Sequence, residues 1–196
     1  MLRTMLQSRV VVAMADGVEI RQVTDKLRKG GYLVVSQVRQ AKEVLRVAFQ
    51  IHPDVIILDN NLPDYSGLGI MQVLDEQRVA PVVLVADNPE QVIIRVRSSW
   101  VSGYVIRPYE EWELYLAIEV AMANYDKLNE VEQENIKLKK MLEARKVIEK
   151  AKGLLMEYRG LTEQAAFHYL QKLSMDQSRS LAKVAKDIIK WFENQC

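Results

Sequence analysis

Apolar residues follow two different spacings along this chain, and the change falls near residue 111. Up to that point, short Val- and Ile-rich runs alternate with amphipathic stretches. The runs are RVVVAM (9–14), YLVVSQV (32–38), DVIILD (54–59), APVVLVA (80–86) and SGYVIR (102–107). Their length and β-branched content predict strands, the third and fourth buried on both faces. Helical spacing fills the gaps. Ile20, Val23 and Leu27 run up to Gly30-Gly31, a helix stop. Val44, Leu45, Ala48 and Phe49 end at Pro53, and Ile70, Met71, Val73 and Leu74 run to about Gln77. Asn88-Pro89 opens a fourth helix carrying Val92, Ile93 and Val96, and a fifth begins near Trp112. Five β-α units predict a parallel sheet with helices on both faces. The functional crevice of such a sheet lies at the carboxyl ends of its strands.

Beyond residue 111 the strand pattern ends. From Glu111 to Tyr158 there is no Pro, and no Gly before Gly153. A 3-4 spacing runs through Leu114, Ala117, Ala121, Asn124, Leu128, Val131, Asn135, Leu138 and Leu142, with Glu and Lys between. This is a coiled-coil pattern, and with Leu128 at position a, Asn135 also falls at a. An Asn there favours a parallel two-stranded register. The spacing predicts a homodimer through Leu128, Val131, Asn135, Leu138 and Leu142; the competing reading is one amphipathic helix packed on its own domain. Past Gly160, Thr162 is the expected N-cap of EQAAFHYLQKLSM, with Ala166, Tyr169, Leu170 and Leu173 along one face. Ser178 or Ser180 should cap a last helix striped by Leu181, Val184, Ala185, Ile188, Ile189 and Phe192. The expected organisation is an α/β domain over 1–112, a dimerising helix over 113–142 and a small helical domain over 143–196.

Composition narrows the function. Hydrophobic residues make up 49% and charged residues 27% of the 196, which fits a folded globular chain. No apolar run approaches the roughly 18 residues of a membrane span. Val10 to Ala15 is too short for the apolar core of a signal peptide. Cys196 is the single cysteine, and His52 and His168 lie far apart, so Cys- or His-led metal sites have no ligand set. The expected compartment is the cytoplasm. The two ends differ in charge. Residues 1–112 hold 13 basic and 13 acidic side chains, whereas residues 143–196 hold 10 and 7. No G-x-x-x-x-G-K-[ST] or G-x-G-x-x-G loop occurs, and no catalytic constellation is evident, so the chain reads as a non-enzyme.

Asp59 carries the chemistry of the first domain. It ends an apolar strand where the crevice should lie, and Pro63 and Gly67 shape the loop that follows. With Asp59 after VIIL, then LPDYSG, then GYVIRPY at the fifth strand, residues 9–120 resemble the receiver domain of two-component response regulators. Residues 143–193 resemble the ANTAR domain, the RNA-binding module of AmiR/NasR-type transcription antitermination regulators. AKGLLM, GLTEQAAF and LSMDQSRSL carry that likeness in the family's order and spacing. The resemblance implies a five-stranded, doubly wound, flavodoxin-like domain joined by a coiled-coil helix to a small three-helix domain.

The receiver likeness is strong in architecture and incomplete in chemistry. It implies a phosphoacceptor at Asp59, an acidic pair after the first strand, a hydroxyl residue after the fourth and a Lys after the fifth. This chain has Met14-Ala15-Asp16, Val85-Ala86 and Arg107 at those places. A hard Mg²⁺ ion held by one or two carboxylates would bind weakly. Neither Val85 nor Ala86 can hydrogen-bond a phosphoryl oxygen through its side chain. Arg107 could pair with Asp59 permanently and hold one state. The expectation is a degenerate receiver that is not efficiently phosphorylated, served by a sensor kinase or a sequestering protein partner.

In the C-terminal domain, Arg145, Lys146, Lys152, Arg159, Arg179 and Lys183 are the expected RNA contacts. Contacts to phosphate would be salt-dependent, and hairpin loops expose bases that an A-form duplex hides. Tyr158, Tyr169 and Trp191 are aromatic residues available for base stacking, although Tyr169 fits a core position better. By resemblance, the dimer binds a hairpin pair in nascent mRNA and prevents a terminator from forming. The rival reading is a signalling adaptor that works by protein–protein interaction without specific RNA binding. A DNA-binding regulator ranks third, because no strong helix-turn-helix element is evident.

Overall fold

The computed structural model describes residues 8–63, 70, 73, 74, 76–90, 92, 93 and 102–193. The expected Gly67, Met71 and Val96 lie outside them. The chain divides into two compact units, residues 1–129 and 130–196.

The first unit is built on five strands: β1 (Arg9–Ala13), β2 (Leu33–Val38), β3 (Val55–Asp59), β4 (Val82–Ala86) and β5 (Gly103–Ile106). All pairings are parallel, in the order β2-β1-β3-β4-β5. Alternate side chains enter two separate cores, as the period of two in a strand requires. Val10, Val12, Val55, Ile57, Val83, Val85 and Val105 face one core. They meet Ile20, Val23 and Leu27 of α1 (Gly17–Lys29) and Leu114 and Ile118 of α3 (Glu111–Arg159). Val11, Ala13, Ile56, Leu58, Val82 and Leu84 face the other. There they meet Val44 and Ala48 of α2 (Ala41–Ile51), with Ile70 and Leu74. Every residue of β3 and β4 is buried, so the doubly wound α/β fold expected from the apolar runs is the fold observed. Backbone at Ile70, Val73, Leu74 and Glu76, and at Pro89, Glu90, Val92 and Ile93, is helical.

The start of α3 presses closely on the sheet. A Cβ at Gly103 would sit 2.7 Å from the Ala117 carbonyl oxygen and 3.2 Å from the Ala121 Cβ. Only a residue without a side chain allows that approach of β5 and α3.

The second unit holds the rest of α3, then α4 (Glu163–Asp176) and α5 (Leu181–Glu193). Gly160, with φ of +62°, ends α3 in the left-handed conformation. Thr162 caps α4, its side chain accepting a hydrogen bond from the Ala165 N–H. Ser180 directly precedes α5, and its carbonyl accepts from the Lys183 and Val184 amides. Ala151 and Leu155 of α3, Ala166 and Leu170 of α4, and Val184, Ala185, Ile189 and Phe192 of α5 form one buried core. Along α3 every residue from 130 to 143 is exposed.

Candidate functional site

Two places gather charged side chains. The first is the carboxyl edge of the sheet. β3 ends at Asp59, which lies in register with Val85 of β4. β5 runs out into Arg107, whose backbone N–H donates to the Ala86 carbonyl at 2.8 Å. The parallel sheet therefore brings Asp59, Ala86 and Arg107 to one edge from three separate stretches of chain.

Arg107 is the hub of that edge. Its Nη2 donates to Asp59 Oδ2 at 2.8 Å, its Nε to Glu19 Oε1 at 2.7 Å and its Nη1 to Asp87 Oδ1 at 3.0 Å. One planar guanidinium thus engages three carboxylates, each through a different nitrogen. The Asp59 side chain is only 6% exposed, those of Arg107 and Glu19 are each 22% exposed, and that of Asp87 is 46% exposed. Asp59 Oδ1 accepts from the Asn61 N–H at 2.9 Å, and the Asn61 amide donates to Asp87 Oδ2 at 2.5 Å. Burial alone would loosen the proton on Arg107, but the bonds to Glu19 and Asp59 outweigh it and hold the guanidinium above its ordinary range. Burial, then the nearby Glu19 carboxylate, push the Tyr109 phenol up to about 12. Tyr109 and Lys26 border the open side of the hub, where a recess of about 430 Å³ reaches Glu19, Asp87 and Arg107.

The other expected pocket residues take different roles. Asp16 caps α1, its Oδ1 accepting from the Val18 N–H at 2.8 Å. Its carboxylate is thus committed to the helix N-terminus and makes no described bond to Arg107. Val85 and Ala86 are fully buried, Val85 within the hydrophobic core. Glu19 and Asp87 were not picked out in the sequence. Their signal was position: Asp87 directly follows β4 as Asn60 follows β3, and Glu19 lies in the first turn of the helix after β1.

Receivers of this fold imply a Mg²⁺ ion among these carboxylates. The residues present do not fit one. The Arg107 guanidinium already bridges Asp59, Glu19 and Asp87, and Asp16 is turned to its helix. Among the described residues no group of three or more carboxylate or imidazole side chains is arranged to hold a metal.

The second place is the surface of the C-terminal unit. Arg145, Lys146, Arg159, Arg179 and Lys183 are exposed. Lys146 pairs with Glu143 at 2.9 Å and Arg179 with Asp187 at 2.7 Å. Lys152, also an expected RNA contact, is placed differently from the other five. It is 8% exposed, and its Nζ lies 2.7 Å from Glu163 and 3.0 Å from Glu149. Hydrogen bonds to Glu163 and Glu149 raise its pKa, and the same contact lowers that of Glu163. Lys152 fastens α3 to the first turn of α4 instead of facing outward.

The residues expected at a dimer seam lie on α3. Val131, Leu138 and Leu142 are 64%, 57% and 54% exposed, Leu128 is half-buried and Asn135 is exposed.

The response regulator receiver domain model matches residues 11–119, and the ANTAR domain model matches residues 137–189. The transcriptional regulatory protein PdtaR of Mycobacterium tuberculosis is 30% identical over 182 residues, covering 92% of this chain and 89% of that protein. The nitrate regulatory protein of Klebsiella oxytoca is 27% identical over 128 residues, 65% of this chain and 31% of that protein. Among solved structures, the receiver domain of the response regulator NarL from Mycobacterium tuberculosis superposes with a TM-score of 0.55. It is 21% identical, over 60% of this chain and 97% of that domain.

Proposed function

The chain belongs to the response regulators that join a receiver domain to an ANTAR domain, and on that premise we propose that it is a dimeric transcription antiterminator that binds hairpin RNA. The dimer takes hold of a hairpin pair in nascent mRNA and keeps a terminator from forming. The observation that carries this reading is the open cationic surface of the ANTAR unit, with Arg145, Lys146, Arg159, Arg179 and Lys183 all solvent-facing. Lys152 is left out because two glutamates hold it.

Dimerisation runs through the exposed stripe of α3. Val131, Leu138 and Leu142 are each more than half exposed along α3, and a second copy packed against them would cover them. The proposed division of the chain is 1–112, 113–142 and 143–196, with the middle segment as the seam. The receiver is degenerate: Arg107 holds Asp59 in an ion pair, so the unit rests in one state without a phosphoryl group. Its input is a protein, either a sensor kinase or a sequestering partner.

The test is equilibrium binding of the full chain to a hairpin RNA, to duplex DNA of the same sequence and to heparin, over a range of salt. A clear preference for the hairpin supports the reading. Changing one phosphate-contacting residue among Arg145, Lys146, Arg179 and Lys183 to Ala should lower the salt slope by about one. Equal affinity for all three polyanions would reduce the surface to general electrostatics and leave the signalling-adaptor reading in its place.

A further inference from the structure

The C-terminal unit carries an arrangement that phosphate binding alone does not account for. Arg159, the last residue of α3, lies with its guanidinium carbon 5.4 Å from the Trp191 ring centre and 5.6 Å from the Tyr169 ring centre. Its Nη1 reaches the Tyr169 hydroxyl at 3.4 Å. Trp191 is 46% exposed, yet it is not loose. Its ring meets the buried Phe192 edge-on at 4.8 Å, and Phe192 stacks on Tyr158 at 5.1 Å. Between these groups opens a recess of about 240 Å³, below the size of most drug-sized ligand sites. Asp187 also borders it, but its carboxylate is engaged by Arg179 at 2.7 Å.

We propose that the recess bounded by Arg159, Tyr169 and Trp191 receives one unpaired base of the RNA loop, stacked on the Trp191 ring beside the Arg159 guanidinium. This rests on the hairpin-RNA reading above and deepens it, from a charged surface to a place for a single base. The chemistry is complementary on both counts. Aromatic faces and guanidinium planes stack on bases of any sequence, and the same cation answers the phosphate attached to that base. The platform is fixed before binding by Phe192 and Tyr158, so little side-chain freedom is lost when the base enters. Trp191 and Phe192 lie beyond residues 137–189, the stretch that the ANTAR domain model matches.

The experiment uses the full chain and a pool of RNA stem-loops with eight random loop nucleotides, from which the tightest-binding hairpin is taken as probe. Trp191→Ala should weaken binding of that hairpin roughly tenfold to a hundredfold, the range of one lost stacking contact. Trp191→Phe should keep most of the affinity. One loop position, when made abasic, should cost as much as Trp191→Ala, and the two changes together should cost no more than either alone. In a Trp100→Phe, Trp112→Phe chain, Trp191 emission should be quenched by the hairpin and not by its critical abasic form. This reading does not require Trp191→Ala to fold. The proposal is overturned if Trp191→Ala stays within twofold of the parent chain while the unit melts earlier, because Trp191 then only packs. It is also overturned if Trp191→Ala and abasic losses multiply at every position, or if Trp191 emission is indifferent to the hairpin. In those cases hairpin preference over duplex DNA would still stand. If the parent chain shows no such preference, the RNA-binding reading itself has failed.

Discussion

Replacing Arg107 by Ala should open the receiver unit and leave the ANTAR unit untouched. The change removes three charge-assisted bonds, but they are not equal. Asp59 is nearly out of water, so it loses its counter-charge with little solvent to replace it. Glu19 is partly hydrated and Asp87 about half exposed, so both are screened already. Breaking a fully buried pair from one side costs about 3–5 kcal/mol. The Asn61 N–H still serves Asp59 at 2.9 Å, and the open side of the hub admits some water. The expected cost is therefore about 2–3 kcal/mol at neutral pH, less than the fully buried limit. Amide hydrogen exchange read by mass spectrometry suits this question because it follows each unit separately. Peptides of β3 and β4 should exchange about 30- to 150-fold faster in Arg107→Ala, from 1.36 kcal/mol per tenfold. Peptides of α4 and α5 should be unchanged. Adding Asp59→Asn to Arg107→Ala should recover at least half of the protection, because the stranded charge is then gone. An acceleration below threefold, or an Asp59→Asn loss that simply adds, would refute the idea that Arg107 neutralises a buried Asp59.

Other expectations follow from the same geometry. Incubation with acetyl phosphate and Mg²⁺ should leave the mass of the chain unchanged; a stoichiometric phosphoprotein, lost in Asp59→Asn, would contradict the Arg107 hub. Leu128→Asp with Leu138→Asp should halve the mass seen by light scattering and weaken hairpin binding together, and a parent chain already monomeric at tens of micromolar would end the coiled-coil proposal. Ala166→Asp places a charge in a fully buried position between helices, at a cost of about 3 kcal/mol or more. Calorimetry should show the melting transition of the ANTAR unit lost or sharply lowered, with β3 and β4 exchange unchanged. Lys152 lowers the Glu163 pKa, so that contact contributes stability above the ordinary Glu value of about 4.3 and loses it as pH falls through the depressed one. The melting temperature of the ANTAR unit should therefore drop on acidification, and Glu163→Gln should flatten that limb.

The fold was legible because its signals are local and redundant. The runs at 54–59 and 80–86 are too apolar for a half-exposed strand, and β3 and β4 are buried throughout. Thr162 announced its helix by residue type, and its side chain does cap α4. The hub at Arg107 was half legible. Asp59 and Arg107 stand out at strand ends, but Glu19 reaches Arg107 across 88 residues of sequence from inside a helical turn, where an acidic residue ordinarily marks only the helix start. Asp16 misled for the converse reason. It sits directly after the first strand, and the helix N-terminus beside it claimed its carboxylate first. Lys152 misled because charge is visible in a sequence and burial of its stem is not. Its neighbours Ala151 and Leu155 belong to the helical core, and its amine is held by Glu149 and Glu163.

The central claim is that this regulator grips hairpin RNA as a dimer with no phosphoryl group on Asp59. Its most direct test is a titration of the best hairpin from the stem-loop pool with the untreated full chain, followed by analytical ultracentrifugation. The account predicts a complex of two chains at saturation, formed with the same affinity before and after treatment with acetyl phosphate and Mg²⁺. A hairpin complex that forms only after that treatment, or one that holds a single chain, would contradict it.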